Sequence, residues 1–340
     1  MGEDKIRITL DDLARIKPPA AAGEPRNYGQ IAEQSAPAAP AGRGSIFLQA
    51  WFYLGAAGLC GSLIAWAVCE PWFVDGPGQS WANFVIFPLM LVLICVGFGV
   101  VEGIVERSPD KATMRGLTSL GLGTVLGFVF FFIANLIFTI GVGILAEAGA
   151  LNVKHVGFWL TRAIAWMGFG VAGGVVYGIV GQAGKKCLYG IAGGVLGAGI
   201  GGFVFDPISF IAGGAAASRA VGMAIFGLTT GVAMGLVESA LKDRWLYVSA
   251  GPLAGKQFIL YKPVTTIGSD QSCDIYLFKD PAVLPRHAVI TLNGPRMTVS
   301  AAGPVYVRGR AVHETVLASG DNLQIGRYAF LYRDRERTDR

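Results

Sequence analysis

Between Phe47 and Val237 the chain carries one long apolar stretch after another with almost no charge inside them, and this fixes the solvent before it fixes the fold. A helix needs about 20 mostly apolar residues to cross a bilayer. Windows that meet or approach this length lie at 47–69, 82–105, 116–146, 158–182, 187–205 and 217–240. The spacing predicts an all-α, Gly-rich transmembrane helical bundle of six spans over 47–241. The third window is long enough to cross with tilt, and the fifth is so rich in glycine that a re-entrant segment would suit it equally. Most of the 49 glycines fall in this region, where small residues let helix backbones touch. Residues 1–46, with "KPPAAAGEPR" and "SAPAAPAGRG", cannot bury enough apolar surface to offset their ordering entropy and are expected as a disordered cytoplasmic tail. The 335–340 stretch reads as a charged tail.

Charge orients the bundle. Arg107, Lys111 and Arg115, then Lys185 and Lys186, then Lys242 and Arg244 fall in alternate turns. The opposite turns at 70–81 and 206–218 carry no Lys or Arg, and 147–157 carries only Lys154. The excess of basic residues on the cytoplasmic side of membrane proteins then predicts both termini in the cytoplasm, as an even number of spans requires.

An internal repeat agrees with this. "TRAIAWMGFGVAGGVVYGIV" at 161–180 aligns without gaps on "SRAVGMAIFGLTTGVAMGLV" at 218–237, and "LICVGFGVVEGIV" at 93–105 is a weaker copy. The first and second copies in chain order are followed by a basic turn and a second glycine-rich helix, so the unit is a helical hairpin. Arg162 and Arg219 are equivalent positions in the repeat and are expected to reach the headgroups; Glu102 is expected near an interface, and Asn135 to bond a neighbouring helix. No ladder of acids crosses the bundle. An anchor is therefore favoured over the alternative, a channel or transporter regulated by the C-terminal domain. Close-packing glycines also give such helices a means to form a homo-oligomer.

From Trp245 the pattern changes to short alternating runs, among them "WLYVSA", "KQFILY", "DIYLF", "HAVITL" and "VYVRG", separated by Gly, Pro and Asp. This predicts an all-β sandwich over 245–334, closing in an edge hairpin at "SGDNLQIGRYAFLY". "TIG" followed by "CDIYLF", then "RHAVI", "VYVRG" and "GDNLQIG", resembles the forkhead-associated (FHA) family, whose modules bind phosphothreonine peptides through loops at one end of such a sandwich. The Gly-rich helices joined through "LKDRWLYV" look like membrane-anchored FHA proteins of bacteria, which implies a multi-pass protein of the bacterial plasma membrane.

The resemblance places peptide- and phosphate-binding positions at Gly268, Ser269, Arg286, His287 and Arg308. The family's Gly-Arg is here Gly268-Ser269, and Leu284 stands where its phosphate-binding Ser is expected, with His287 kept behind it. Its Asn-Gly-Thr corresponds to Gly303-Pro304-Val305, and a later Asn-Gly to Arg308-Gly309. Each lost bond to a charged group removes about 1.5–3 kcal/mol, and two or three losses carry a micromolar binder past millimolar. Arg286 and Arg308 are the cations available to compensate; the plain alternative is that both are solvated surface residues. The expected partner is a cytoplasmic protein, phosphorylated or not, together with the lipid bilayer.

Other classes find little material. Cys60, Cys69, Cys95, Cys187 and Cys273 form no CxxC and no metal spacing. No basic run suits nucleic acid, three histidines over 340 residues give no catalytic constellation, and no cofactor is implied. The polar stretch before the first apolar window argues against a signal peptide, and "MGEDKI" lacks the Ser or Thr of a myristoylation signal.

Overall fold

The computed structural model describes residues 45–75, 80–294 and 296–335. The expected disordered segment 1–46 lies outside them except for its last two residues, as does the charged tail beyond Arg335. Among the described residues six helices are long and apolar enough to cross a membrane. They are α1 (Ala50–Cys69), α2 (Trp81–Val105), α3 (Pro109–Glu147), α4 (Val156–Val180), α5 (Gly184–Ile208) and α6 (Ala215–Leu241). The glycine-rich fifth window is an unbroken helix of 25 residues.

Each helix packs on the next, and α6 closes back onto α1, so the six form a ring with Met90, Phe98, Trp166, Phe169, Phe226 and Met234 in its core. Glycine sets the closeness of this packing. On the α4–α5 seam a Cβ at Gly170 would strike the carbonyl oxygen of Gly194, and a Cβ at Gly194 would strike that of Gly170. Backbone is in contact with backbone, and no flexible side chain can yield. Gly170→Val is therefore expected to separate α4 from α5 and abolish a monodisperse peak in size-exclusion chromatography, whereas Gly143→Val, with open space around it, leaves the profile unchanged.

The α2–α3 and α4–α5 turns close alike. Arg107 (φ 58°) and Gln182 (φ 53°) take the left-handed conformation, and the next residue donates back to the helix, Ser108 to Gly103 O at 3.0 Å and Ala183 to Gly178 O at 3.3 Å. Ser108 then caps α3 by accepting from the Lys111 N–H. Arg162 and Arg219, expected to reach the headgroups, also have carboxylate partners: Arg162 pairs with Asp206 of α5 at 2.7 Å, and Arg219 binds Glu70 and Asp75 between α1 and α2. Asn135 bonds its own helix, donating to Phe131 O at 2.9 Å, not a neighbour.

Lys242 and Asp243 lead from α6 into nine strands: β1 (Arg244–Ala250), β2 (Gln257–Ile259), β3 (Val264–Gly268), β4 (Ile275–Tyr276), β5 (Ala288–Asn293), β6 (Arg296–Val307), β7 (Arg310–Leu317), β8 (Asn322–Ile325) and β9 (Tyr328–Asp334). Their order is β2-β1-β9-β8-β6-β5-β3-β4, with β7 on β6; β3 and β4 run parallel and the other pairs antiparallel. Leu246, Val248, Ile267, Val299, Leu323 and Phe330 fill the core between the layers. The β8–β9 hairpin is not at an edge. β1 covers the open side of β9, and Tyr328, Phe330 and Tyr332 are buried.

Candidate functional site

At one end of the sandwich, β3 stops at Gly268 and β5 starts at Ala288, and the segment between Val283 and His287 is stitched onto the end of β3. The Ser269 N–H donates to Leu284 O at 3.0 Å, the Asp270 N–H to Pro285 O at 3.2 Å, and the His287 N–H to Ile267 O at 2.8 Å. A Cβ at position 268 would run into the Pro285 carbonyl, so only glycine permits this approach. The Ser269 hydroxyl is already engaged, donating to Val283 O at 2.9 Å. His287 is fully buried; its Nδ1 accepts from the Leu284 N–H at 3.0 Å, which leaves the proton on Nε2 to donate to Pro304 O at 3.0 Å. The ring is thus a neutral strut between two loops.

Three consecutive residues of this segment are exposed: Leu284, at 44%, Pro285 and Arg286. Across from Arg286, Asp270 is held below the usual carboxylate range first by its bonds from Ser272 and then by the Arg286 charge. Gly268, Ser269, Arg286 and His287 therefore come together. Arg308 is placed on the β6–β7 turn, where Arg308 (φ 53°) and Gly309 (φ 75°) supply the two left-handed residues of a tight hairpin. Its guanidinium grips Asp321 with both Nε and an Nη, at 2.6 and 2.7 Å.

A second constellation lies where the sandwich meets the helices, around a cavity of about 150 Å³. Glu102 of α2 binds Lys186 of α5, accepts from the Tyr177 hydroxyl at 2.8 Å and faces Arg115 of α3 at 3.3 Å. Tyr177 also reaches Glu238 of α6 at 3.0 Å, and Tyr261 of the sandwich donates to the same carboxylate at 2.6 Å. Glu106, in the α2–α3 turn, faces Lys111, Arg115 and, from the sandwich, Lys256, at 3.3–3.5 Å. Burial alone would raise Glu106, but Lys256 and the neighbouring cations outweigh it and hold the carboxyl down at about 2. Burial pushes the Lys256 ammonium down, only partly opposed by Glu106. Two contacts extend the junction to the β3–β4 loop: Ser108 Oγ donates to Gln271 at 2.7 Å, and Lys111 to Asp274 O at 3.0 Å.

Sequence reasoning missed this cluster. By sequence Glu102 is expected near an interface and Lys186 in a basic turn; in the structure both are buried, because each has the other. The available signal was the placement of Glu102, Glu106 and Glu238 near helix ends that also carry Tyr177 and Lys186. Among the described residues no three His, Cys, Asp or Glu side chains gather to hold a metal ion.

Comparisons with known proteins bear on the sandwich. Residues 247–336 match the family model described as Yop-YscD, inner membrane component of T3SS, cytoplasmic domain. The glycogen accumulation regulator GarA of Mycolicibacterium smegmatis is 35% identical over 107 residues, which is 31% of this chain and 67% of GarA. The chain belongs to the FHA-domain family. An oxoglutarate dehydrogenase inhibitor of Corynebacterium efficiens is 36% identical over 90 residues, 26% of this chain and 63% of the inhibitor. The chain thus spans little more than half to two thirds of the curated relatives it matches. Among solved structures, the FHA domain of the CT664 protein from Chlamydia trachomatis is 29% identical, covering 27% of this chain and 97% of that one, with a TM-score of 0.25. The N-terminal FHA domain of S. cerevisiae Rad53p, in complex with a phosphothreonine peptide, is 14% identical over 28% of this chain and 96% of that one, with a TM-score of 0.26. The C-terminal domain of the present chain is an FHA domain preceded by six long apolar helices.

Proposed function

We propose that the six helices anchor the FHA domain at the cytoplasmic face of a bacterial plasma membrane, where its tip loops dock a protein partner without requiring phosphothreonine. The observation that carries this reading is the exposed pair Leu284 and Arg286, standing where a phosphate cradle would need a hydroxyl, next to a Ser269 hydroxyl already spent on Val283. An apolar side chain beside a cation suits a partner segment with an apolar and an acidic residue. Arg308 would have to give up a two-pronged bond to Asp321 before it could take a phosphate.

The buried junction supports a scaffold whose docking module is fixed to its anchor. It also speaks for an anchor over a transporter: the charged groups gather at the two ends of the helix ring, around Glu102 at one and around Arg162 and Arg219 at the other. Between them the core is apolar side chains and glycine, with the hydroxyls of Ser62, Ser119 and Thr230 and no charged group. The matched family, described as an inner membrane component with a cytoplasmic domain, fits the placement that the basic turns suggest. In this reading the protein acts by binding and not by catalysis. A reporter fused after Arg340 is expected to be active only in the cytoplasm; activity confined to the other side would sink the placement, and ion flux in vesicles abolished by Glu102→Gln would favour a channel.

A further inference from the structure

The two equivalent arginines of the repeat are treated differently by the fold. Arg219 is saturated: Nε and one Nη bind Glu70 at 3.0 and 2.5 Å, and the other Nη binds Asp75 at 2.6 Å. Arg162 uses Nε alone, on Asp206 at 2.7 Å. Its plane lies among the rings of Phe138, Phe158, Trp166 and Phe205, 4.8–5.7 Å from their centroids. Its terminal nitrogens have no hydrogen bond among the described residues. A guanidinium carries five donors, and leaving most of them without an acceptor in an apolar surround is costly.

Beside Arg162 is a cavity of about 230 Å³ between α2, α3 and α4, at the end of the helix ring away from the FHA domain. Phe84, Phe87, Phe131, Phe138, Trp166 and Phe169 line it, with Asn83, Asn135 and Arg162 as polar groups. Phe84 and Asn135 are exposed, so the cavity opens on the outer surface of the ring, where lipid would lie. It exists because α3 leans on its neighbours mainly through Gly116, Ser119, Gly123, Gly127 and Ala134, leaving its outer half loosely covered. Arg162 is six residues into α4, roughly 9 Å along the axis, which puts it within reach of the headgroup level.

We infer that this cavity is a phospholipid site, with a lipid phosphate on the free Nη groups of Arg162 and part of one acyl chain among the aromatic rings. The guanidinium fork fits phosphate oxygens on one edge while its Nε keeps Asp206. The rings accept the chain, and the size of the cavity admits a segment of a chain and not a whole lipid. Arg219 offers no such site, because both of its edges are filled.

The test is native mass spectrometry of the full-length protein in detergent, with 1-palmitoyl-2-oleoyl-phosphatidylglycerol as probe and dioleoylglycerol as its phosphate-free counterpart. One phosphatidylglycerol per chain is expected to be retained, dioleoylglycerol is not, and added inorganic phosphate does not displace the lipid. Arg162→Gln is expected to reduce retention at least tenfold. Asn135→Phe, which narrows the cavity from an exposed position and leaves Arg162 alone, is expected to do the same; it carries the test by itself if Arg162→Gln does not fold. Unchanged retention in these variants overturns the site. Equal retention of dioleoylglycerol means apolar filling only, and displacement by inorganic phosphate makes free phosphate the ligand; either result overturns the lipid assignment.

Discussion

Lys186→Met is expected to lower the stability of the full-length protein in detergent by about 3–5 kcal/mol, the range for removing one partner of a buried ion pair. Lys186 and Glu102 have side chains 8% and 9% exposed, so water cannot replace the lost cation. Arg115, 3.3 Å from the other carboxylate oxygen, does not take over the position Lys186 leaves. The effect is therefore one of a stranded carboxylate more than of a lost attraction. Combining Lys186→Met with Glu102→Gln removes that stranded charge, and the double variant is expected to recover more than half of the loss. Thermal unfolding of the four proteins measures this as a double-mutant cycle. Additive losses would mean that the pair is not coupled.

The second large effect is at His287. His287→Leu keeps an apolar side chain in a fully buried place but leaves the Leu284 N–H and the Pro304 carbonyl without partners. Each stranded group costs about 1–3 kcal/mol, which gives a loss of about 2–6 kcal/mol. Hydrogen exchange is expected to rise first in the segment 283–287 and in 302–304, because these are the two loops the imidazole ties together. Arg286→Ala, one residue away but exposed, should stay within about 0.5 kcal/mol of the parent. If both substitutions have the same effect, the imidazole is not the strut described here.

The apolar helices and the FHA sandwich were legible because each leaves a local signature. A run of some 20 apolar residues does not depend on its neighbours, and strand alternation such as that of Leu246 and Val248 is visible within five residues. Partnership across the chain left no such trace. Glu102 meets Lys186 84 residues later, and Arg219 meets Glu70 149 residues earlier. Nothing near any of these charges says that it is paired. The central place of β8 and β9 was hidden for the same reason, since β1, the strand that covers β9, lies some 80 residues before it. At the tip, Gly268 and His287 could be found from their motif. That the Ser269 hydroxyl is turned onto Val283, and the Arg308 fork onto Asp321, depends on loop geometry that no motif encodes.

The decisive measurement is the affinity of the full-length protein in detergent for a phosphothreonine peptide library and for its unphosphorylated counterpart. No preference for the phosphorylated set is expected. Selective binding of phosphothreonine peptides, lost on Arg286→Ala or Arg308→Ala, would contradict this and put a phosphate site back at the end of the sandwich.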